Sequence, residues 1–263
     1  MKISIVTAVY NRVDCIRRAV ESVNQQTWED IQHVVVDGAS TDGTRELLQT
    51  ILPPTALFIS EPDRGIYDAI NKGISRSDGD VIGLLHSDDV FADAQVLSKV
   101  ALAFEQDPSL DMLYGDIGFY DAAQPARCTR VYSSRCFTPE RLASGWMPAH
   151  TSVFLRRRVF ERHGLYRTGY RIAGDFEYMA RIFRDRKIKT LYLPEIMVHM
   201  RTGGASTAGW RSTLTLNREV LRACRENGIR TSWLRLLSRY PEKLLEFALA
   251  RQQRPRPWPS SSR

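Results

Sequence analysis

The sequence predicts an α/β fold, in which a mostly parallel sheet is flanked by helices and a helical appendage follows at the carboxyl end. From the start of the chain to about residue 120, short apolar runs alternate with segments whose apolar residues recur every three or four positions. This alternation is typical of a parallel sheet covered on both faces. With 43% hydrophobic and 25% charged residues, the 263-residue chain has an ordinary globular composition and can bury a sizeable core.

Four strands are predicted from short apolar runs at residues 3–9, 31–36, 57–60 and 81–85. The helices between them are predicted from apolar residues at helical spacing, which include Ile16 and Val20, then Leu47, Leu48 and Ile51, then Ala69, Ile70 and Ile74. Val96, Val100 and Phe104 predict a further helix, which precedes a strand-like segment at 110–120.

The alternation weakens after about residue 121, which suggests a different organisation there. Residues 127–150 are interpreted as irregular, 151–155 as a strand, 175–184 as a helix and 212–250 as helices. The last 13 residues are rich in Pro and Arg and are expected to be disordered. We therefore predict a domain over 1–207 with halves 1–120 and 121–207, an appendage over 208–250 and a tail over 251–263.

The positive charge is concentrated at the carboxyl end. Residues 205–263 contain 12 Lys and Arg against 4 Asp and Glu, so that most of the chain is nearly neutral although the net charge is +7. This distribution argues against a nucleic-acid partner for the main domain. Arginines interleaved with Leu, Trp and Phe over 208–250 are typical of a membrane-surface helix or of a solvated helical cap, and both interpretations remain open.

The amino terminus and the cysteines favour a cytoplasmic protein, with peripheral contact at the inner membrane face as one interpretation. The chain shows neither a signal-peptide pattern nor an apolar stretch near the ~18–20 residues that a membrane-spanning helix needs. Its four cysteines have no CxxC spacing, which favours a reducing compartment.

Two adjacent carboxylates, Asp88 and Asp89, follow the fourth predicted strand. Burying either of them uncompensated is costly, so we expect a divalent metal ion there, although a solvated Asp–Asp turn is the alternative. Carboxyl ends of parallel strands meet at one edge of a sheet, which should bring residues 7–11 and Asp37 to the same crevice. The turn after the first strand reads TAVYNR and has no glycine, which argues against a dinucleotide cofactor.

Ordered segments along residues 1–207 carry a resemblance to a known family: VTAVYNR, VVDGASTDGT, EPDRGIYDAINKGI, LLHSDD, and MPAHTSVFLRRRVFERHGLY with IAGDFEYMARI and RTGGAST. The sequence resembles family 2 glycosyltransferases with the GT-A fold, and more specifically a bacterial subgroup linked to exopolysaccharide, capsule and lipopolysaccharide assembly, of colanic-acid type. The resemblance implies inverting, Mg²⁺- or Mn²⁺-dependent transfer of a sugar from a nucleotide-diphospho-sugar to a glycan or polyprenyl-linked acceptor. UDP is the first expectation for the nucleotide, with GDP as the alternative.

The resemblance also implies which residues contact the donor. Those expected around the base are Thr7, Ala8, Tyr10, Asn11 and Asp37, in the half 1–120. Those expected near the donor sugar and phosphates are Arg64, Asp68, Lys72 and Asp88. Simpler alternatives are a helix-capping role for Asp37 and a helix-surface ion pair for Asp68 and Lys72, which are four residues apart.

The metal and the catalytic base follow from the same resemblance. Asp88 and Asp89 match the metal-binding acids, His199 is a further candidate metal ligand, and Asp175 matches the general base in the half 121–207. His86 stands where the first acid of the family's DxD motif often is. Asp175 at a helix start has a capping role as its alternative.

Two other functions are weighed against the transferase. A catalytically silent, sugar-nucleotide-binding subunit of a polysaccharide synthase is compatible with His86, although the retained Asp88, Asp89 and Asp175 argue against it. A nucleotidyltransferase shares the metal and nucleotide chemistry, but the sequence shows no glycine-rich triphosphate loop.

Overall fold

The computed structural model describes residues 1–120, 128–201 and 209–238. Nine strands in these residues form one sheet: β1 (Ile3–Val9), β2 (Ile31–Asp37), β3 (Leu57–Ser60), β4 (Val81–Leu84), β5 (Val90–Phe91), β6 (Met112–Tyr120), β7 (Cys128–Tyr132), β8 (Phe154–Arg156) and β9 (Thr190–Arg201). The helices are α1 (Ile16–Asn24), α2 (Thr44–Ile51), α3 (Ile66–Arg76), α4 (Val96–Gln106), α5 (Arg157–His163), α6 (Gly174–Ile182), α7 (Trp210–Glu226) and α8 (Trp233–Leu237). Short 3-10 helices cover Pro139–Ser144 and His150–Ser152.

The first half of the sheet is parallel, as the sequence predicts. β1 lies between β2 and β4, and β3 pairs with the outer side of β2. In this register Val9 is opposite Asp37, and Asp37 is opposite Ser60. The carboxyl ends of these strands therefore meet at one edge, which is the crevice where α/β sheets bind ligands.

The second half of the sheet is mixed. β8 lies antiparallel between β4 and β6, β6 pairs parallel with β9, and the two-residue β5 pairs antiparallel with β9. The order along the sheet is β3-β2-β1-β4-β8-β6-β9-β5, with β7 added to β6. The predicted α/β class is confirmed, whereas the irregular segment expected at 127–150 contains β7 in its first residues.

Two apolar layers cover the sheet because side chains alternate between its faces. Val34 and Val36 pack on the face that carries α3, α6 and α7, while Val35 packs on the face that carries α1, α2 and α4. Helix α3 lies very close to β1, since a Cβ built on Gly73 would be 2.3 Å from Val6 Cγ1. Glycine at position 73 thus allows the close approach that fixes α3 over the sheet.

The carboxyl-terminal helix α7 belongs to the main core. Val220, Ala223 and Cys224 are buried in the apolar layer that also contains residues of α3 and α6. The helices predicted beyond residue 238, the tail 251–263 and the loop at 203–206 lie outside the described residues. In the part of the chain that the structure describes, no helix is long and apolar enough to cross a membrane.

Candidate active site

A cavity of about 460 Å³ lies beyond the carboxyl ends of β1 and β4. Its walls come from β1, the segment after β4, β6, β7, α6 and α7, and they include Ala8, His86, Asp88, Asp89, Ile117, Phe119, Tyr132, Met147, His150, Asp175, Leu216 and Val220. The structure therefore brings together the acidic pair after β4 and the acid at the start of α6, which are far apart in the sequence.

Asp89 is a buried acid with an unused oxygen. Its side chain is 1% exposed, and its Oδ1 accepts a hydrogen bond from the Arg201 N–H at 3.4 Å. No described residue donates a hydrogen bond to Oδ2, which is also buried. Burial raises the pKa of Asp89 well above its usual range, and the negative charge of Asp88 adds to this effect. A buried carboxylate oxygen without a hydrogen-bond donor fits a divalent cation, whose positive charge would balance the negative charge of the carboxylate.

His199 lies near this pair but makes a different contact. It is opposite Val90 in the β5–β9 ladder, and its Nε2 is 3.1 Å from the Tyr120 hydroxyl. Burial lowers the pKa of His199 to about 4, so the ring is neutral. Among the described residues, no group of three or more His, Cys, Asp or Glu side chains is placed to hold a metal ion. The role of Asp88, Asp89 and His199 as metal ligands therefore stays a prediction.

Asp175 lies at the start of α6 and is partly buried in the wall of the cavity. Burial raises the pKa of Asp175 to about 6, although the hydrogen bond from the Phe176 N–H at 2.8 Å and the nearby His86 ring lower it. A carboxylate with a pKa near 6 is deprotonated at neutral pH and still accepts a proton readily. These are the properties that a general base requires.

Two histidine rings line the same cavity as the acids. The centroids of His86 and His150 are 5.2 Å apart, and burial lowers the pKa of each ring to about 4. The negative charges of Asp88 and Asp175 act in the opposite direction on the pKa of His86 and raise it. His86 replaces an acid of the family's usual motif, and the structure assigns it to the wall of the cavity as a neutral ring.

Arginines in the cavity wall were not identified by sequence reasoning as a group. Arg12, Arg130, Arg171 and Arg201 all contribute to the wall. The Arg130 guanidinium lies 4.4 Å from the centre of the Phe119 ring, and Arg201 pairs with Asp14 at 3.2 Å. They come from four separate segments, so only the folded chain shows that they surround one space.

The residues expected around a nucleotide base do not all lie in the cavity wall. Ala8 lines the cavity, and Tyr10 is 59% exposed at the same edge of the sheet. Asn11 has a positive φ of 50°, and its Oδ1 accepts a hydrogen bond from the Thr41 N–H. Thr7 is fully buried with its hydroxyl 3.1 Å from His33 Nε2, which places it in the core rather than in the wall.

Asp37 is fully buried at the end of β2. Its carboxylate accepts hydrogen bonds from the Ser60 hydroxyl at 2.7 Å and from the Ser40 N–H at 3.2 Å. These contacts hold the turn between β2 and α2 in place. Its contact with a base stays a prediction, as do those of Thr7, Tyr10 and Asn11.

Arg64, Asp68 and Lys72 do not line the cavity: Arg64 precedes α3, and Asp68 and Lys72 lie on α3. Arg64 pairs with Asp68 at 3.3 Å, and Lys72 pairs with Glu61 at 2.9 Å. Lys72 also lies 3.9 Å from Asp68, so the helix-surface ion pair named as the simpler alternative is present. Donor contact by these three residues stays a prediction.

Comparison with known proteins gives one family. The model of the family described as "Glycosyl transferase family 2" matches residues 4–164. A PGL/p-HBAD biosynthesis glycosyltransferase of Mycobacterium bovis is 27% identical over 222 residues, which are 83% of this chain and 82% of that protein. An uncharacterized glycosyltransferase of Mycobacterium tuberculosis is 30% identical over 181 residues, 68% of each chain.

Solved structures with the same fold include S. aureus TarS 1–349 in complex with UDP, at a TM-score of 0.63 and 15% identity. The match covers 86% of this chain but only 65% of that chain. The mannosyltransferase PcManGT from Pyrobaculum calidifontis, in complex with GDP-Man and Mn²⁺, matches at a TM-score of 0.63 and 15% identity, over 95% of this chain and 73% of that one. These likenesses confirm the predicted GT-A fold.

Proposed function

The chain belongs to glycosyl transferase family 2, and on this basis we propose that it is an inverting glycosyltransferase that uses a nucleotide-diphospho-sugar. The observation that carries the proposal is the position of Asp175. Its carboxylate, with a pKa raised to about 6, lines the same cavity as Asp88 and Asp89. A carboxylate with a raised pKa in the wall of a cavity is typical of a catalytic group, which favours an enzyme over a subunit that only binds the sugar nucleotide.

The proposed reaction is a single displacement at the anomeric carbon of the donor sugar. Asp175 takes the proton of the acceptor hydroxyl, and the oxygen of that hydroxyl forms a bond to the anomeric carbon. The bond from this carbon to the diphosphate oxygen breaks, and the nucleoside diphosphate leaves with the electron pair. Attack from the side opposite the leaving group inverts the anomeric configuration.

Asp88 and Asp89 are the proposed ligands of Mg²⁺ or Mn²⁺. The buried, unused Oδ2 of Asp89 supports this assignment, and His199 is kept as a secondary candidate. A bound divalent ion would neutralise the charge of the departing diphosphate. The four arginines of the cavity wall would add positive charge to the same cavity.

UDP remains the first proposal for the nucleotide, with GDP as the alternative. Solved relatives of this fold carry UDP, UDP-GlcNAc and GDP-Man, which supports a nucleotide sugar without separating the two bases. The exopolysaccharide or lipopolysaccharide role and the colanic-acid-type subgroup also remain proposals. The Mycobacterium relatives are named for PGL/p-HBAD biosynthesis, which supports a glycan-assembly role in a broader sense.

A glycan or polyprenyl-linked acceptor at the inner membrane face is the proposed partner. The cavity wall also contains apolar side chains, with Ile117, Leu216 and Val220 among them. On α8, Trp233, Leu234 and Leu237 are exposed, and the side chains of Arg230 and Arg235 are exposed beside them. An apolar surface with neighbouring arginines fits peripheral contact with an anionic membrane.

Thermal unfolding with UDP, GDP, CDP and TDP, each with Mn²⁺ or with EDTA, tests the proposal. A ligand that binds only the folded state raises Tm by mass action. We expect one nucleotide to raise Tm with Mn²⁺ and to lose most of that effect with EDTA. No shift with any nucleotide would contradict the proposed donor site.

A further inference from the structure

The segment 171–176 carries Asp175 into the cavity, and all six of its backbone N–H groups are paired with side chains. The first N–H groups of a helix have no partner within the helix, so a segment of this kind normally depends on water or on one capping side chain. Here two residues from other helices provide five of the six contacts. The sixth is the hydrogen bond from the Phe176 N–H to Asp175 itself.

Glu219 on α7 pairs with the first three of these groups. Its carboxylate accepts hydrogen bonds from the N–H groups of Arg171, Ile172 and Ala173, each at 2.8 Å. A carboxylate that accepts three backbone hydrogen bonds at this distance is a strong anchor, because its charge strengthens each bond. The loop before α6 is therefore attached to α7.

Tyr67 on α3 pairs with the next two groups. Its hydroxyl accepts hydrogen bonds from the N–H groups of Gly174 at 2.9 Å and Asp175 at 3.3 Å, and it donates to the Ile172 carbonyl at 2.7 Å. A Cβ built on Gly174 would be 2.7 Å from the Tyr67 ring, so that glycine is required where the ring meets the backbone. The single proton and the two acceptor sites of the hydroxyl are all used.

We propose that Tyr67 and Glu219 are positioning residues, which together hold the Asp175 carboxylate at the place where the acceptor hydroxyl reacts. The proposal rests on the proposed function, since it takes Asp175 to be the general base. Catalysis by a base depends on its position to within a fraction of an ångström, so small displacements of 171–176 reduce turnover strongly. Tyr67 also lies next to the base itself, since its hydroxyl is 3.5 Å from Asp175 Oδ1 and its side chain lines the cavity, whereas Glu219 contacts only backbone N–H groups of the segment.

The arrangement gives α7 a role that the sequence did not suggest. The sequence places this helix in a basic appendage, whereas the structure places Leu216 and Val220 in the cavity wall and Glu219 at the start of α6. One helix thus contributes to the shape of the acceptor side and to the attachment of the base. The clamp formed by Tyr67, Glu219 and residues 171–176 joins three helices at the active site.

Three variants and two matched controls test these contacts. Tyr67→Phe keeps the ring and removes the hydroxyl, while Tyr178→Phe removes a buried hydroxyl of α6 that makes no hydrogen bond with any described residue. Glu219→Ala removes the carboxylate, while Arg225→Ala removes an exposed charged side chain of the same helix. Glu219→Gln keeps one acceptor oxygen and should lose less than Glu219→Ala.

Two readouts are needed: amide hydrogen exchange of residues 171–176, and kcat and KM for nucleotide release from UDP-glucose, UDP-N-acetylglucosamine or GDP-mannose, whichever is turned over. We expect Tyr67→Phe and Glu219→Ala to speed exchange in this segment and to lower kcat at least about tenfold, with the donor KM changed less than about twofold. The two control variants should match the wild type in both readouts. Unchanged exchange, or an unchanged kcat despite faster exchange, would overturn the proposal.

The outcome for Asp175→Asn separates this proposal from the proposed function. If that variant keeps wild-type turnover, the assignment of the base fails, and the positioning role fails with it even where exchange confirms the contacts. If Asp175→Asn loses turnover while Tyr67→Phe and Glu219→Ala keep it in a folded protein, only the positioning role fails.

Discussion

Val90 and His199 lie opposite each other where β5 pairs antiparallel with β9. This pairing holds β5, which directly follows Asp89, against the end of β9, which is more than a hundred residues later in the sequence. As a result the Arg201 backbone nitrogen is 3.4 Å from Asp89 Oδ1, and Asp89 is held in a buried position that its local sequence alone does not explain. The proposed metal site therefore depends on the end of β9.

Asp89→Asn should remove the metal-dependent part of nucleotide binding. In wild-type protein, Mn²⁺ and the nucleotide together should raise Tm, whereas the variant should show no gain from Mn²⁺ over EDTA. Without metal, the variant should be at least as stable as the wild type, because a buried charge without compensation is costly and the amide is neutral. A variant with the wild-type response to Mn²⁺ would refute Asp89 as a ligand.

Turnover should depend on the ionisation of Asp175. The base acts in its deprotonated form, so kcat/KM should rise about tenfold for each pH unit below about 6 and level off above it. The measurement is nucleotide release from the best donor between pH 4.5 and pH 8.5. A rate that is unaffected by pH across 5–7 would contradict the assignment.

Asp175→Asn should change stability in a way that depends on pH. The folded-state pKa of about 6 lies above the ordinary aspartate value of 3.8, so Asp175 favours folding in its protonated form. That contribution is complete below about pH 4 and is lost as the pH rises through 6. At pH 8 the variant should therefore have a higher Tm than the wild type, whereas at pH 4 the two should differ little. A change of one kcal/mol in the free energy of unfolding shifts Tm by about 2–4 °C. An equal difference at both pH values would count against the raised pKa.

The exposed face of α8 should contribute to membrane contact. Leu234 is 82% exposed, so Leu234→Ser with Leu237→Ser should leave the fold intact and at least halve sedimentation with phosphatidylglycerol vesicles. Leu102→Ser, at an exposed position on α4, is the matched control and should sediment like the wild type. If the double variant sediments equally well, α8 is not the contact surface.

The parallel half of the sheet was predictable because its strands are buried on both faces and appear as apolar runs. β7 was not, since its residues are alternately exposed and half-buried. In β9 the exposed residues of its first half hide the strand pattern. Both strands pair with β6, and a local sequence pattern does not show which strands will pair.

The acids of the site were predictable from motifs, whereas the residues that hold them in position were not. Asp88, Asp89 and Asp175 follow a strand or begin a helix, and such positions can be read from the sequence. The contacts of Tyr67 and Glu219 with residues 171–175 join segments that are separated by up to 108 positions, and they arise only when α3, α6 and α7 pack together. The ion pairs of Arg64 and Lys72 likewise depend on which face of α3 is turned to solvent.

The most direct test of the account is the configuration of the sugar that is released from an α-linked donor. Proton NMR should follow UDP-glucose, UDP-N-acetylglucosamine and GDP-mannose with Mn²⁺ at pH 8, read at early times before the anomers equilibrate. We predict that one donor gives the β anomer first, and that EDTA or Asp175→Asn lowers the rate at least about a hundredfold. Release of the α anomer first, or release by Asp175→Asn at the wild-type rate, would contradict inverting transfer with Asp175 as the base.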